Sequence, residues 1–202
     1  MSISRLLSKL ENGFINCHAH IDRAGTASFF AQEKHKAHLF EKWQLVRKVK
    51  EQSTTKDYYN RIINACWSQR EKNISKIISF IDLDDIVGTK ALTVERLDFL
   101  GGLPKSDEDP EKHLEILFDL SKQTNKKIHV HVDQMNTDEE AETYWLARRV
   151  IQSGLQGRVV AVHSISVACH DKFTRDFTYE ACKDAGMQFV ACPSAWIDHP
   201  RT

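Results

Sequence analysis

The sequence predicts an α/β fold with a mainly parallel sheet, most readily closed into a (β/α)8 barrel. Three observations predict it. Apolar strand-like runs alternate with helical stretches along the chain. The helical stretches carry Gly stops and Asp or Ser/Thr starts. Three of the strands end in histidine, at the edge where a barrel gathers its ligand-binding loops.

The first strand is "GFINCHAH", read as short and buried. Alternate residues of a strand share a face, so His18 and His20 aim their rings together. A long helical stretch follows, roughly from Ala37 to Lys72. It breaks at "QSTTKD", where Ser53, Thr54 or Thr55 can cap a new helix. "KIISFIDL" is the second strand and "RLDFLGGLP" the third, ended by Gly and Pro.

In "SDEDPEKHLEILFDLSKQ", Asp109 is the expected N-cap and Pro110 the first helical residue. Leu114, Leu117 and Leu120 then fall at helical spacing. "KIHVHVDQ" is a strand, "TDEEAETYWLARRVIQSG" a helix stopped by Gly, and "RVVAVHS" another strand. "KFTRDFTYEACKDAG" is a helix, again closed by Gly, and "MQFVACP" the last strand.

Composition sets the outer bounds. The chain has 202 residues, 41% apolar and 28% charged, which suits a globular protein with a core. Lys plus Arg equals Asp plus Glu at 28 each, so bulk charge points to neither nucleic acid nor a membrane surface. No apolar run approaches the ~20 residues of a membrane span. The N-terminus lacks the long apolar stretch of a secretory signal. Five cysteines (Cys17, Cys66, Cys169, Cys182 and Cys192) are scattered without CxxC spacing, which fits a reducing cytoplasm.

The histidines carry the chemistry. Alone, an HxH pair is more often two surface or satisfied rings than a metal site, and His163 alone reads as a core residue. Together, His18 and His20, His129 and His131, and His163 end three separate strands, and neutral imidazole suits zinc, iron and related ions. His129 and His131 point the same way, so either can be the ligand from their strand. His35, His38, His113, His170 and His199 fall in helices or loops and read as surface or packing residues.

Four ordered motifs, "NCHAHID", "HVHVDQMNTDEEAE", "RVVAVHSISVA" and "AGMQFVACPSAWI", resemble the cytosine deaminase branch of the amidohydrolase superfamily. "FLGGLPKSDEDPEKHLEILFDLSKQ" resembles that branch's fourth strand and following helix. "SFIDLDD" resembles its second, with Ser79-Phe80 where Thr-His is usual. The resemblance spans nearly everything from Phe14 to Ile197. It implies a TIM barrel of the metal-dependent hydrolase type that attacks a C–N bond of a ring amidine or amide. His18, His20 and His131 would be metal ligands, and His163 would contact the metal-bound water or the developing oxyanion. The family's strand-four lysine, which bridges two metals, has no counterpart in "DFLGGLP", so one divalent metal, Zn or Fe, is expected. Such a metal lowers the pKa of bound water to about 7 for attack on a trigonal carbon. The match of "HVDQ" to the family's fifth-strand motif favours His131 over His129. The implied partner is a small-molecule substrate, with no nucleic acid and no membrane; a homo-oligomer stays open.

Three departures from the family matter. The family's fifth-strand motif is His-x-x-Glu, its Glu shuttling the proton, whereas this chain has His131-Val-Asp-Gln134. An amide cannot carry that proton, and losing a general acid/base typically costs about 10²–10⁴ in rate. Asp133 or His163 would take the task, the substrate would differ, or activity would be impaired. The family's third strand is missing between Leu92 and Thr93, and its eighth-strand Asp would lie beyond Thr202. A complete barrel needs ~250 residues. Residues 1–202 are therefore expected to form a single, partial barrel domain, without the branch's N-terminal β-sandwich. As an open barrel with bare edges, it should be poorly soluble alone.

Two other classes stand beside the amidohydrolase reading. One is a non-catalytic descendant that binds a small ligand, with Gln134 marking the lost proton shuttle. The other is a phosphoester hydrolase of a different histidine-rich barrel family, which would want more carboxylates at the strand ends. Asp22 is expected to fix its loop or orient a ligand histidine. Cys17 is expected to pack away from His18. Trp196 is a candidate substrate contact at the pocket mouth, with simple packing as its alternative.

Overall fold

The structure is a computed structural model that describes residues 13–26, 39–80, 98–193 and 195. Trp196 and the Leu92–Thr93 junction lie outside the described residues. The chain divides into two compact units, Met1–Asp84 and Asp85–Thr202.

In the first unit, strands β1 (Phe14–Ala19) and β2 (Ile74–Ser79) pair in parallel. Helices α1 (Leu39–Gln52) and α2 (Thr55–Glu71) connect them. The predicted break falls at Thr54. Its hydroxyl accepts from the Asp57 N–H while the Asp57 carboxylate accepts from the Thr54 N–H, a reciprocal capping box. The Asp57 carboxyl is accordingly held below its ordinary range, chiefly by the Thr54 hydroxyl. The expectation that β1 is a buried strand needs correction, because Phe14 and Ile15 are 41% and 54% exposed. Among the described residues β1 pairs with β2 alone, and α2 contributes no buried residue to cover its apolar face.

In the second unit, β3 (Leu100–Gly102), β4 (Ile128–Val132), β5 (Val159–His163) and β6 (Gln188–Val190) form a parallel sheet in chain order. Helices α3 (Pro110–Thr124), α4 (Glu142–Gln152) and α5 (Lys172–Asp184) fill the connections. Asp109 caps α3 as predicted, with Pro110 in the first turn. Asp171 caps α5 by accepting from the N–H groups of Phe173 and Thr174.

The helices of this unit each bury one stripe; in α3, Leu117 of the expected set is buried, whereas Leu114 and Leu120 are only partly buried. In α4 that stripe is Thr143, Leu146, Ala147 and Val150, at i, i+3, i+4 and i+7. Leu146, Ala147 and Val150 meet Ile128, Val130 and Val132 of β4 and Val159 and Ala161 of β5 in one apolar cluster with Leu117 and Phe118. A fully buried aliphatic side chain of this kind contributes about 1.5–3 kcal/mol. Because β4 is paired on both sides, all five of its residues are buried. Its apolar residues join the helix-facing cluster, so period-two alternation puts His129 and His131 on the opposite face.

Helix α4 starts at Glu142, five residues later than its sequence suggests. The delay has a physical cause. Glu140 is drawn into side-chain bonds with Met135, Ser166 and Lys105 instead of joining a first helical turn.

Candidate active site

The second unit gathers its polar residues at the carboxyl ends of β4 and β5. The two strands pair so that His131 stands beside Val162 and Val132 beside His163. The rings of His131 and His163 lie 5.3 Å apart between centroids. The backbone here is unusual. Asp133, His163 and Ser164 have positive φ values of 49°, 80° and 52°, a left-handed conformation that costs a non-glycine residue about 1–2 kcal/mol. Bonds between the two strand exits hold it. Ser164 N–H donates to the Val132 carbonyl at 3.0 Å, and Ile165 N–H to the Asp133 carbonyl at 2.8 Å.

The side chain of Asp133 is fully buried. Its two oxygens accept from the N–H groups of Glu142 at 2.7 Å and Thr143 at 3.1 Å, which caps α4. The Asp133 N–H in turn donates to Glu142 Oε2 at 2.8 Å. Burial pushes the Glu142 carboxyl upward, opposed by that N–H and by the Lys105 ammonium. Glu140, also buried, accepts from Met135 N–H and the Ser166 hydroxyl and pairs with Lys105. Asp133, Glu140 and Glu142 each offer an oxygen within 4.8 Å of the others. Those oxygens are bound to backbone N–H groups, a hydroxyl and an ammonium, so the cluster acts as the clamp that fixes both strand ends. Gln134 follows directly and is buried.

His129 sits deeper on the same face. Its ring lies 4.9 Å from that of Phe99, and burial, then Lys127, pushes its pKa down. Its neighbours are those of a core residue. His113 and His170, read from sequence as packing, both have specific partners. His113 Nδ1 lies 2.8 Å from the Asp107 carboxylate, and His170 Nε2 donates to the Glu140 carbonyl at 2.7 Å.

The first unit presents the other pair. His18 and His20 approach edge to face, their ring centroids 5.0 Å apart. Phe80, standing where the family has His, packs 4.6 Å from His18 and 5.6 Å from His20. Asp22 is buried in the 3-10 turn Ile21–Arg23, and its carbonyl accepts from Arg61 Nε at 2.9 Å. Cys17 is exposed, contrary to the packing role expected of it.

Sequence reasoning missed Lys105, Glu140 and Glu142. The "DEEAE" run was their available signal, but a run of acids after a strand reads first as a solvated helix start. The donor set at the strand ends is made of imidazole nitrogens, which fits a borderline ion such as zinc or iron.

Parallel strands joined by helices, with polar residues at their carboxyl ends, are the arrangement of a (β/α) barrel. The comparisons agree on the fold. The 5-methylcytosine deaminase of Klebsiella pneumoniae superposes with a TM-score of 0.71 at 18% identity, over 90% of this chain and 54% of that one. The N-isopropylammelide isopropylaminohydrolase of Burkholderia multivorans superposes with a TM-score of 0.60 at 17% identity, over 89% and 55%. The chain thus spans about half the length of these solved structures.

Among sequences, an uncharacterized protein of Haemophilus influenzae is 34% identical over 95% of this chain and 84% of its own length. That alignment runs over 236 positions, more than the 202 residues here, so the relative holds internal residues this chain lacks. The N-isopropylammelide isopropyl amidohydrolase of Pseudomonas sp. is 27% identical over 57% of this chain and 29% of its own. The pterin deaminase of Rhizobium rhizogenes is 29% identical over 46% and 22%. No protein-family profile matches the chain. The chain belongs to the amidohydrolase superfamily, in one family with the Haemophilus protein.

Proposed function

We propose that the protein is a mononuclear metal-dependent amidohydrolase that hydrolyses a non-peptide C–N bond in a small nitrogen heterocycle, a cyclic amidine or amide. One observation carries the reading. The histidines of the family's motifs lie at the carboxyl ends of parallel strands, with His18 beside His20 and His131 beside His163. The substrate class follows from the relatives' names. Methylcytosine, pterin and isopropylammelide are all nitrogen heterocycles that lose an amine or ammonia from a ring carbon.

His18, His20 and His131 would hold the ion, zinc or iron. When bound, it supplies a Lewis acid that activates water for attack on a trigonal ring carbon. His163 would stabilise the developing oxyanion and pass a proton to the departing nitrogen. Asp133 positions Gln134 through its cap and clamp bonds, since both of its oxygens are already accepting. Gln134 offers an amide donor and acceptor to the heterocycle. Trp196, outside the described residues, stays a candidate substrate contact, with simple packing as its alternative. We assign all of residues 1–202 to one partial barrel domain, lacking the β/α unit that would follow β2. The reaction belongs to the cytoplasm, in keeping with the scattered cysteines.

A second reading rests on Gln134. With an amide at the shuttle position and Asp133 committed to capping α4, the chain can be an impaired homologue that binds a heterocycle without turning it over. Purified full-length protein decides between them. The first reading expects about one equivalent of zinc or iron and release of ammonia or amine from a panel of pyrimidines, pterins and triazines. Metal with ligand binding and no turnover favours the second. Absence of metal after reconstitution contradicts the first.

A further inference from the structure

We infer that Gly102 is a positioning residue for the metal site: its carbonyl fixes the tautomer of His131, and its missing side chain lets α3 set that carbonyl's place. The inference rests on the metal role proposed for His131.

The first part follows from one contact. His131 Nδ1 lies 3.2 Å from the Gly102 carbonyl oxygen. A carbonyl can only accept, so the proton of a neutral His131 ring sits on Nδ1. The lone pair is then on Nε2, the nitrogen through which the ring would bind a cation. Metal-binding histidines are commonly oriented in this way by a backbone carbonyl on the far nitrogen.

The second part follows from packing. A Cβ at residue 102 would lie 2.4 Å from Leu117 Cδ1 and 2.6 Å from His113 Nε2, so α3 rests directly on the β3 backbone. Both contacts come from buried residues of α3, and His113 is itself anchored through Nδ1 to Asp107. Leu117 belongs to the main apolar cluster and cannot give way freely. A side chain at 102 therefore displaces β3, and with it the acceptor that His131 uses. Gly101, its neighbour, lies beside His129 and has no such bond to His131 among the described residues.

The test uses the metal-free full-length protein with 15N-labelled histidine, at a pH where the ring is neutral. Nitrogen shifts should show His131 protonated on Nδ1. Gly102→Ala should raise the share of the other tautomer and weaken zinc binding, measured by chelator competition, by about 10–100-fold. Leu117→Ala removes the packed methyl groups but leaves the carbonyl, so it should lower Tm and keep zinc affinity. An Nε2-protonated His131 in the parent protein overturns the inference, whatever the variants do. So does a loss of zinc affinity in Leu117→Ala equal to that in Gly102→Ala. Failure of every form to bind zinc, with His131 protonated on Nδ1, contradicts the metal reading and supports the tautomer assignment.

Discussion

Asp133 and Glu142 exchange hydrogen bonds in both directions: each backbone N–H donates to the other's carboxylate, at 2.7 and 2.8 Å. The pair ties the end of β4 to the start of α4, and it holds Asp133 in its left-handed conformation immediately before Gln134. Removing a buried carboxylate that satisfies two N–H groups leaves both unpaired. Asp133→Ala should therefore destabilise the protein by about 2–4 kcal/mol, read as a lower urea midpoint. Glu142→Gln keeps an acceptor for the Asp133 N–H and should cost under about 1 kcal/mol. Equal losses in the two variants would refute the clamp.

Gln134 should respond to its acid counterpart. If the missing carboxyl limits turnover, Gln134→Glu should raise hydrolysis of the best heterocycle by about 10²–10⁴-fold, with the metal content unchanged. A parent enzyme already active, and slowed by the same change, would show that His163 carries the proton and that the amide recognises substrate.

The strand ends, the break within residues 53–55 and the cap at Asp109 were legible because local chemistry dictates them. A Pro after an Asp or a Thr three residues before an Asp needs no tertiary partner. The late start of α4 was not legible. Asp138 to Ala141 have helical composition, and only the distant Ser166 and Lys105 draw Glu140 away. The exposure of Cys17 was hidden for a similar reason, since alternation says which face a residue takes and not what covers that face. Gly102 was read as a strand end, whereas its bareness answers to Leu117 and His113 on α3.

The cap on α5 supplies a pH dependence whose sign is fixed. The Thr174 hydroxyl, then its N–H, holds the Asp171 carboxyl below the ordinary 3.8. A depressed acid contributes stability that is fully present above the unfolded value and is lost as pH falls through the folded one. The Tm difference between the parent and Asp171→Ala should thus be constant above about pH 5 and shrink below about pH 4. A difference that persists unchanged into stronger acid would exclude the ionised cap.

Thiol chemistry should sort the cysteines. Burial, with Asp133 adding to it, pushes the Cys182 thiol up to about 11, so little thiolate forms near neutrality. Cys192 is also raised, chiefly by burial. Cys17 is exposed and should react first with a disulfide reagent at pH 8, whereas Cys182 should react only on unfolding. Rapid labelling of Cys182 in the native protein, located by mass spectrometry, would contradict its burial against α4 and β4.

The most direct measurement is a crystal structure of the zinc-loaded full-length protein with anomalous data at the zinc edge. The expected result is one peak about 2.0–2.1 Å from ring nitrogens of His18, His20 and His131, the last through Nε2. A peak held instead by Asp133, Glu140 and Glu142, or no peak within bonding distance of these three imidazoles, would contradict the account.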